Sequence, residues 1–385
     1  MKKSLLALAA MGAFAGAAQA QSSVTVYGIY DGGYSSSNLK ESVGATKTNT
    51  QTSGYTGGES ATSRIGFRGL EDLGGGLSAN FNLEVGITAG TGTLGVTTQT
   101  AGATQGSDSA SIRTSIVGIS SKEYGSLAVG RQLTGMHGIL AGDVFGGANV
   151  AGDITYHATT STAAGAGPTA TGRINSVTTR SSNMLNYTSP TLMGASLRLD
   201  HGNTESTALN QPGIQFATTG AYLTYTYGPI TAKAGQVKAK SNEAIAVGTA
   251  FAASQTVVNG ANIMYKDKGL TVQYTIGNNK TETVSATATT LASNVKAQKI
   301  SASYQLTPQI MPFAQYGRGG SEGLRTVGAV STATDDSAMQ VGVEYAMSKR
   351  TSLYGVYGVS NRELKSNGAN KTEYTDYALG VRHTF

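Results

Sequence analysis

Apolar and polar residues alternate along several segments of this chain, and this period of two restricts the fold more than any other feature. Between positions 77 and 87 one strand face carries Leu77, Ala79, Phe81, Leu83, Val85 and Ile87. The opposite face carries Ser78, Asn80, Asn82, Glu84 and Gly86. Segments 195–200, 270–277 and 338–345 alternate in the same way. This pattern predicts β-strands with one apolar and one polar face.

Soluble antiparallel sheets alternate as well, so the spacing of the connections between strands has to distinguish a soluble sheet from a transmembrane barrel. Tight turns fall near 71–75, 189–191, 227–229, 266–269, 307–309 and 347–350. Between them lie long polar excursions at roughly 35–60, 88–110, 134–180, 203–219, 241–256, 278–295, 318–337 and 361–372. Transmembrane β-barrels alternate short turns with long loops in this manner. Eight long loops predict a sixteen-stranded antiparallel barrel, an all-β fold.

Composition supports the barrel and excludes other classes. After the first twenty residues no segment approaches eighteen consecutive apolar residues, so a membrane-spanning helix is excluded and a closed barrel remains. The absence of Cys excludes a disulfide framework. The 28 Lys and Arg residues are scattered among 22 Asp and Glu residues, which argues against a nucleic-acid-binding surface.

The amino-terminal residues have the pattern of a secretory signal. Lys2 and Lys3 form a basic region, an apolar stretch follows, and Ala18-Gln19-Ala20 is an A-x-A cleavage site. We therefore expect residues 1–20 to be a signal peptide and residues 21–385 to form one barrel domain.

The longest excursion, 134–180, is expected to fold back into the barrel and narrow its lumen. A loop of this length in a compact domain is usually functional or disordered. It contains Asp143-Val144-Phe145-Gly146-Gly147, and an apolar cluster is unusual on a freely solvated loop.

Several segments, distributed over the whole mature chain, resemble the trimeric general porins of Gram-negative outer membranes, particularly the β-proteobacterial branch. They are Ser23–Gly28, Ser63–Leu77, Gly125–Gln132, Asn186–Pro190, Ala346–Thr351 and Gly380–Phe385. The third loop of that family usually has a Pro-x-Phe-Gly-Gly-like core, and this sequence lacks the Pro.

The resemblance implies a homotrimer in the outer membrane of a Gram-negative bacterium, surrounded by lipid and lipopolysaccharide. It implies passive diffusion of ions and small hydrophilic solutes through a water-filled channel. It also implies that the outer-membrane assembly machinery reads the last strand, whose period-two pattern is Tyr377, Leu379, Val381 and Phe385.

In that family, basic side chains on the barrel wall face acidic or carbonyl groups of the inward loop, and charge at the constriction sets ion selectivity. Alternation places Arg64, Arg68, Arg198, Lys299 and Arg382 on the lumen side. Further basic candidates are Arg113, Arg131, Arg180 and Lys233, and the candidate acids of the loop are Asp143 and Asp153. Clustering of the basic residues at the constriction predicts a preference for anions.

Other functional patterns are weaker. Gly90–Gly95 matches G-x-G-x-x-G, but no helix follows it, so a dinucleotide site is not expected. The four His residues lack metal-ligand spacing, so neither a metal nor a cofactor is expected. An outer-membrane hydrolase would need a nucleophile, a His and an acid at one rim, and nothing positions such a triad, so no enzyme is expected. A secondary adhesin role of the surface loops stays open.

Tyr residues near the short turns predict an aromatic girdle at the membrane interface. They are Tyr124, Tyr187, Tyr227, Tyr265, Tyr345 and Tyr354.

Overall fold

The computed structural model describes residues 23–89, 93–94, 112–141, 180–205, 215–242, 252–285, 289–322, 333–365 and 370–385. The strands are β1 Ser23–Val43, β2 Thr46–Gly57, β3 Arg64–Gly74, β4 Leu77–Thr88, β5 Thr93–Leu94, β6 Ile112–Ser121, β7 Gly125–Leu133, β8 Arg180–Thr188, β9 Ala195–Glu205, β10 Gln215–Tyr227, β11 Ile230–Asn242, β12 Ala252–Asp267, β13 Leu270–Ser285, β14 Thr289–Tyr304, β15 Ile310–Glu322, β16 Thr334–Ala346, β17 Thr351–Leu364 and β18 Lys371–Thr384. One short helix, α1, covers His137–Leu140.

These strands form a closed antiparallel barrel with sixteen positions around its circumference, and each position is called a stave. β2 and β3 pair with successive parts of β1, so they are two segments of one stave. Within the described residues, β5 pairs with the end of β4 alone and adds no stave. β1 also pairs with β18, which joins the first stave to the last. The predicted sixteen-stranded barrel is confirmed, and closure leaves no unpaired edge to meet lipid.

The two faces of the strands divide as the alternation predicts. On β4 the side chains of Leu77, Phe81 and Leu83 are exposed on the outer wall. On the opposite face of the same strand, Asn82 and Glu84 accept hydrogen bonds from the inward Tyr27 hydroxyl. The apolar wall suits lipid, and the polar wall encloses an aqueous lumen.

The short turns lie where the sequence predicts them, but several predicted excursions are strand. Most of 35–60 forms the end of β1 and all of β2, and most of 278–295 forms the end of β13 and the beginning of β14. These strands continue past their alternating parts, where both faces carry polar residues and the period of two disappears.

The beginning of the longest excursion is helical. Within the described residues, no helix is long and apolar enough to cross a membrane, and α1 has only four residues. The remainder of the excursion, 142–179, lies outside the described residues, and so does the predicted signal peptide.

Candidate functional site

A basic cluster lies on the inner wall where β3, β4 and β6 run side by side. Arg64 and Arg113 both approach Glu84, at Nε–Oε2 3.4 Å and Nε–Oε1 2.7 Å. β3 and β4 pair directly, and a register shift between Glu84 and Val85 accommodates β6 at Arg113. The carboxylate is shared by two guanidinium groups, so the cluster keeps an excess of positive charge.

Arg68 extends this cluster along the same strand face as Arg64. Its guanidinium carbon lies 5.1 Å from the centroid of the Tyr27 ring, within the range of a cation–π contact. The Tyr27 hydroxyl donates to Asn82 Oδ1 at 2.7 Å and to Glu84 Oε2 at 3.2 Å. Arg68 is exposed and forms no ion pair within the described part of the chain, so it presents its charge to the lumen.

A second group of polar contacts surrounds the start of the longest excursion. Arg198 donates through Nε to Asp200 Oδ1 at 2.9 Å and through Nη2 to the Leu133 carbonyl at 2.5 Å. Asp200 Oδ2 accepts from the Gly135 backbone N–H at 2.9 Å. Lys233 Nζ donates to the Gly138 carbonyl at 3.2 Å. Two predicted basic residues therefore hold the segment from 133 to 138 against the wall.

Apolar contacts hold the same segment on the inner wall. Met136, Ile139 and Leu140 are buried in one cluster with wall residues that include Val237 and Val258. A Cβ at wall residue Gly260 would lie 2.7 Å from the Met136 sulfur and 3.0 Å from Leu140 Cδ2. Only glycine admits this approach, so the sequence is adapted to residues 134–141 lying on the inner wall. Asp143 and Asp153 fall outside the described residues.

The other predicted basic residues divide into inward and outward positions. Arg180 and Lys299 are buried, at 8% and 2% exposure. Arg382 forms an ion pair with Glu344. Arg131 departs from the prediction, because it pairs with Ser115, and Ser115 pairs with the outward Leu83. The structure thus places Arg131 on the outer wall, where its guanidinium donates to the Ile112 carbonyl at 2.7 Å and to Ser182 Oγ at 3.0 Å.

Several lumen charges were absent from the predicted set. Arg362 and Asp336 form an inward pair, with Nε–Oδ1 2.8 Å, between β17 and β16. Both lie in segments predicted as loops, so alternation was not applied to them. Glu84, Asp200 and Glu344 lie on the polar faces that alternation identifies, but nothing in the sequence shows which Arg each one pairs with.

A buried polar network crosses the seam between the first and last staves. Asp31 is fully buried, and its Oδ2 accepts from the backbone N–H groups of Ser60 at 2.8 Å and Ala61 at 2.6 Å. Its Oδ1 accepts from the Tyr354 hydroxyl at 2.6 Å. Arg382 Nη1 donates to Ser60 Oγ at 2.9 Å. Tyr354 therefore points inward, which corrects its predicted place in the aromatic girdle.

The chain matches one protein-family model and has curated relatives. The model described as Gram-negative porin matches residues 7–383. An outer membrane porin protein of Bordetella pertussis is 33% identical over 265 residues, which are 63% of this chain and 62% of that protein. Outer membrane porin protein 32 of Delftia acidovorans is 28% identical over 403 aligned residues, covering the full length of both chains.

Solved structures share the fold. An anion-selective porin from Comamonas acidovorans superposes with a TM-score of 0.67 at 22% identity, over 95% of this chain and all of that one. A trimer form of OmpT, an outer membrane protein of Vibrio cholerae, superposes with a TM-score of 0.58 at 15% identity, over 94% of this chain and 99% of that one.

Proposed function

The chain belongs to the Gram-negative porin family of outer-membrane channels, and we propose that its channel conducts ions and small hydrophilic solutes by passive diffusion with a preference for anions. The observation that carries the preference is the cluster of Arg64, Arg68 and Arg113 around one carboxylate, Glu84. Low-dielectric barrel walls focus the potential of such a cluster into the water they enclose. The anion-selective Comamonas structure is consistent with the same sign.

The predicted basic residues Arg180, Arg198, Lys233, Lys299 and Arg382 belong to this proposed lining. We assign them smaller shares of the selectivity than Arg68, because Arg198 and Arg382 have acidic partners and Lys233 binds a carbonyl. The predicted loop acids Asp143 and Asp153 stay in the proposal as opposing charges.

The test is the reversal potential of the refolded protein in a planar bilayer under a KCl gradient. We expect the anion-selective sign for the native chain, and a shift toward cations in Arg64→Gln/Arg68→Gln, which leaves the Arg113–Glu84 pair in place. One charge at roughly 8 Å in water changes the energy of an ion by about 0.5 kcal/mol, and screening in about 0.1 M KCl reduces this to about 0.2 kcal/mol. The change has opposite signs for chloride and potassium, so their permeability ratio should fall about twofold per charge.

Lys122→Gln/Lys349→Gln is the matched control. It removes two positive charges from the exposed turns between β6 and β7 and between β16 and β17. Its reversal potential should equal that of the native chain. A cation-selective native channel, or an Arg64/Arg68 variant that behaves like this control, would show that charges elsewhere determine the selectivity.

The assembly of this chain is proposed to be a homotrimer, by analogy with the trimer form of the Vibrio structure. If one insertion event produces a channel that closes in three equal conductance steps, the result supports a trimer, and closure in one step would contradict it.

Lipopolysaccharide and the outer-membrane assembly machinery are the other proposed partners. Residues 1–20 are the proposed signal peptide, and an intact mass beginning at Gln21 would support that cleavage site. We propose no enzymatic activity.

A further inference from the structure

The Tyr222 ring lies against the inner wall of the barrel. Tyr222 on β10 pairs directly with Gly235 on β11, and Gly220 lies two residues earlier on β10. A Cβ at Gly235 would overlap the ring, and a Cβ at Gly220 would overlap the Tyr222 side-chain oxygen. The ring therefore fills the space above two glycines of the wall, so it cannot move closer to the wall.

The inward segment, residues 133–141, packs on the same ring. A Cβ at Gly135 would overlap Cδ2 of Tyr222. Tyr222 is only 4% exposed, and it belongs to the buried cluster that contains Met136, Ile139 and Leu140 of the inward segment. The ring is thus enclosed between the wall strands and the inward segment.

Polar contacts beside the ring hold the inward segment in this position. Arg198 pairs with Tyr222 in the register of β9 and β10, and its guanidinium donates to the Leu133 carbonyl at 2.5 Å. Asp200 accepts from the Gly135 backbone N–H at 2.9 Å. These contacts draw the segment toward the wall, and the ring limits how closely it can approach.

Other inward rings cover glycines without such a segment. Phe313 lies over its cross-strand partner Gly342, and Tyr354 lies over its partner Gly380. The described members of their buried cluster all belong to wall strands. Tyr222 differs from these rings because, among the described residues, it separates a second piece of chain from the wall.

We infer that the Tyr222 ring is a spacer that sets the distance of the inward segment from the wall, and that the missing side chain at Gly135 keeps the lumen wide there. Because packed carbon atoms lie about 3.5–4.0 Å apart, an added Cβ at Gly135 has to move the segment about 1 Å or more toward the lumen. Gly135 and Tyr222 are therefore residues that determine the bore. The inference rests on the proposed channel function and not on the ion preference.

Single-channel conductance of the refolded protein in a planar bilayer, measured with neutral polyethylene glycols of graded size, tests the spacer. Polymers that enter the lumen lower its conductance, so the largest polymer with an effect reports the bore. We expect Gly135→Ala to lose conductance and to exclude polymers that the native channel admits. Gly235→Ala should act in the same way, because its Cβ lifts the ring from the wall.

Removal of the ring should reverse the effect. Gly135→Ala/Tyr222→Ala is expected to recover the native conductance and polymer limit, because the added methyl group enters the space that the ring leaves. Gly135→Ala/Tyr222→Leu should recover them in part, and it replaces the first pair if Tyr222→Ala does not refold. Gly138→Ala is the matched control, since it adds the same methyl group to the same segment, where a Cβ meets no described atom within 4 Å. It should conduct as the native chain does.

Three results would overturn the inference. The first is native conductance and a native polymer limit in Gly135→Ala. The second is a loss that persists when the ring is also removed, because the methyl group would then act without the spacer. The third is an equal loss in Gly138→Ala, which would assign the effect to added bulk in the lumen. All these variants keep every charge, so the reversal potential should keep its sign. A native chain without conductance would instead remove the proposed function, so the two can fail separately.

Discussion

Among the described residues, Glu84 is the one carboxylate that pairs with the basic cluster of the lumen. Arg64 and Arg113 contact its two oxygens, and the Tyr27 hydroxyl donates to the oxygen that faces Arg64. The Glu84 side chain is only 13% exposed, so its charge is screened less than that of a surface carboxylate. The sign of the local field therefore depends on how many carboxylates lie beside these Arg residues.

Adding a carboxylate beside Arg68 is expected to reduce the anion preference. Asn82 lies directly across from Arg68 in the register and accepts from the Tyr27 hydroxyl, so Asn82→Asp keeps both shape and hydrogen bond. We expect the chloride-to-potassium permeability ratio to fall about twofold, and Glu84→Gln to raise it by a similar factor. Reversal potentials in KCl gradients measure both. Shifts of the same sign in the two variants would contradict a field set by this cluster.

The break between β2 and β3 shows how one element depends on a distant side chain. Residues 58–63 interrupt the stave, and their backbone N–H groups at Ser60 and Ala61 have no strand partner there. Asp31 accepts from both and also from the Tyr354 hydroxyl. A buried N–H without an acceptor is costly, so this carboxylate makes the break compatible with a closed wall.

Asp31→Ala is expected to lower the free energy of unfolding by about 2–5 kcal/mol, because two buried N–H groups and a hydroxyl lose their acceptor. Asp31→Asn should cost less, since the Tyr354 hydroxyl can turn and accept from the amide. The midpoint of urea unfolding in detergent, followed by circular dichroism, measures the difference. Glu373→Gln removes only the exposed pair with Lys40 and should cost under about 1 kcal/mol. Equal midpoints for the Asp31 and Glu373 variants would remove the proposed role of Asp31.

The strands that the sequence predicts well are those with lipid on one side and water on the other. β4 and the alternating part of β13 have that contrast, and their bounds and faces follow from the period of two. Arg362 and Asp336 lie beyond the alternating parts of their strands, so their segments were interpreted as loops. Alternation also placed Arg64 and Arg68 inward. Arg131 was a further candidate that alternation did not assign, and it shares the outward strand face of Leu127 and Val129. Pairings such as that of Asp31 with residues 60 and 61 depend on tertiary contacts that no local pattern encodes.

At the scale of the whole barrel, the last strand has a structural role and a proposed recognition role. Phe385 exchanges two backbone hydrogen bonds with Gly28, at 3.0 and 3.1 Å, and so helps to close the barrel. A Cβ at Gly28 would overlap the Phe385 ring, so the ring covers that glycine. Tyr377, Leu379 and Val381 are exposed on the outer wall of the same strand. An unassembled strand would present this apolar face to the assembly machinery.

Phe385→Ser separates the two roles, because it removes the ring and keeps the backbone hydrogen bonds to Gly28. We expect refolding into detergent to persist with a small loss of stability, while the amount of folded protein in the outer-membrane fraction of cells falls severalfold. Phe385→Tyr keeps an aromatic ring and should assemble as the native chain does. Failure of Phe385→Ser to refold in detergent would show that the ring is needed for closure itself. Normal assembly of Phe385→Ser in cells would show that recognition rests on the other residues of the strand.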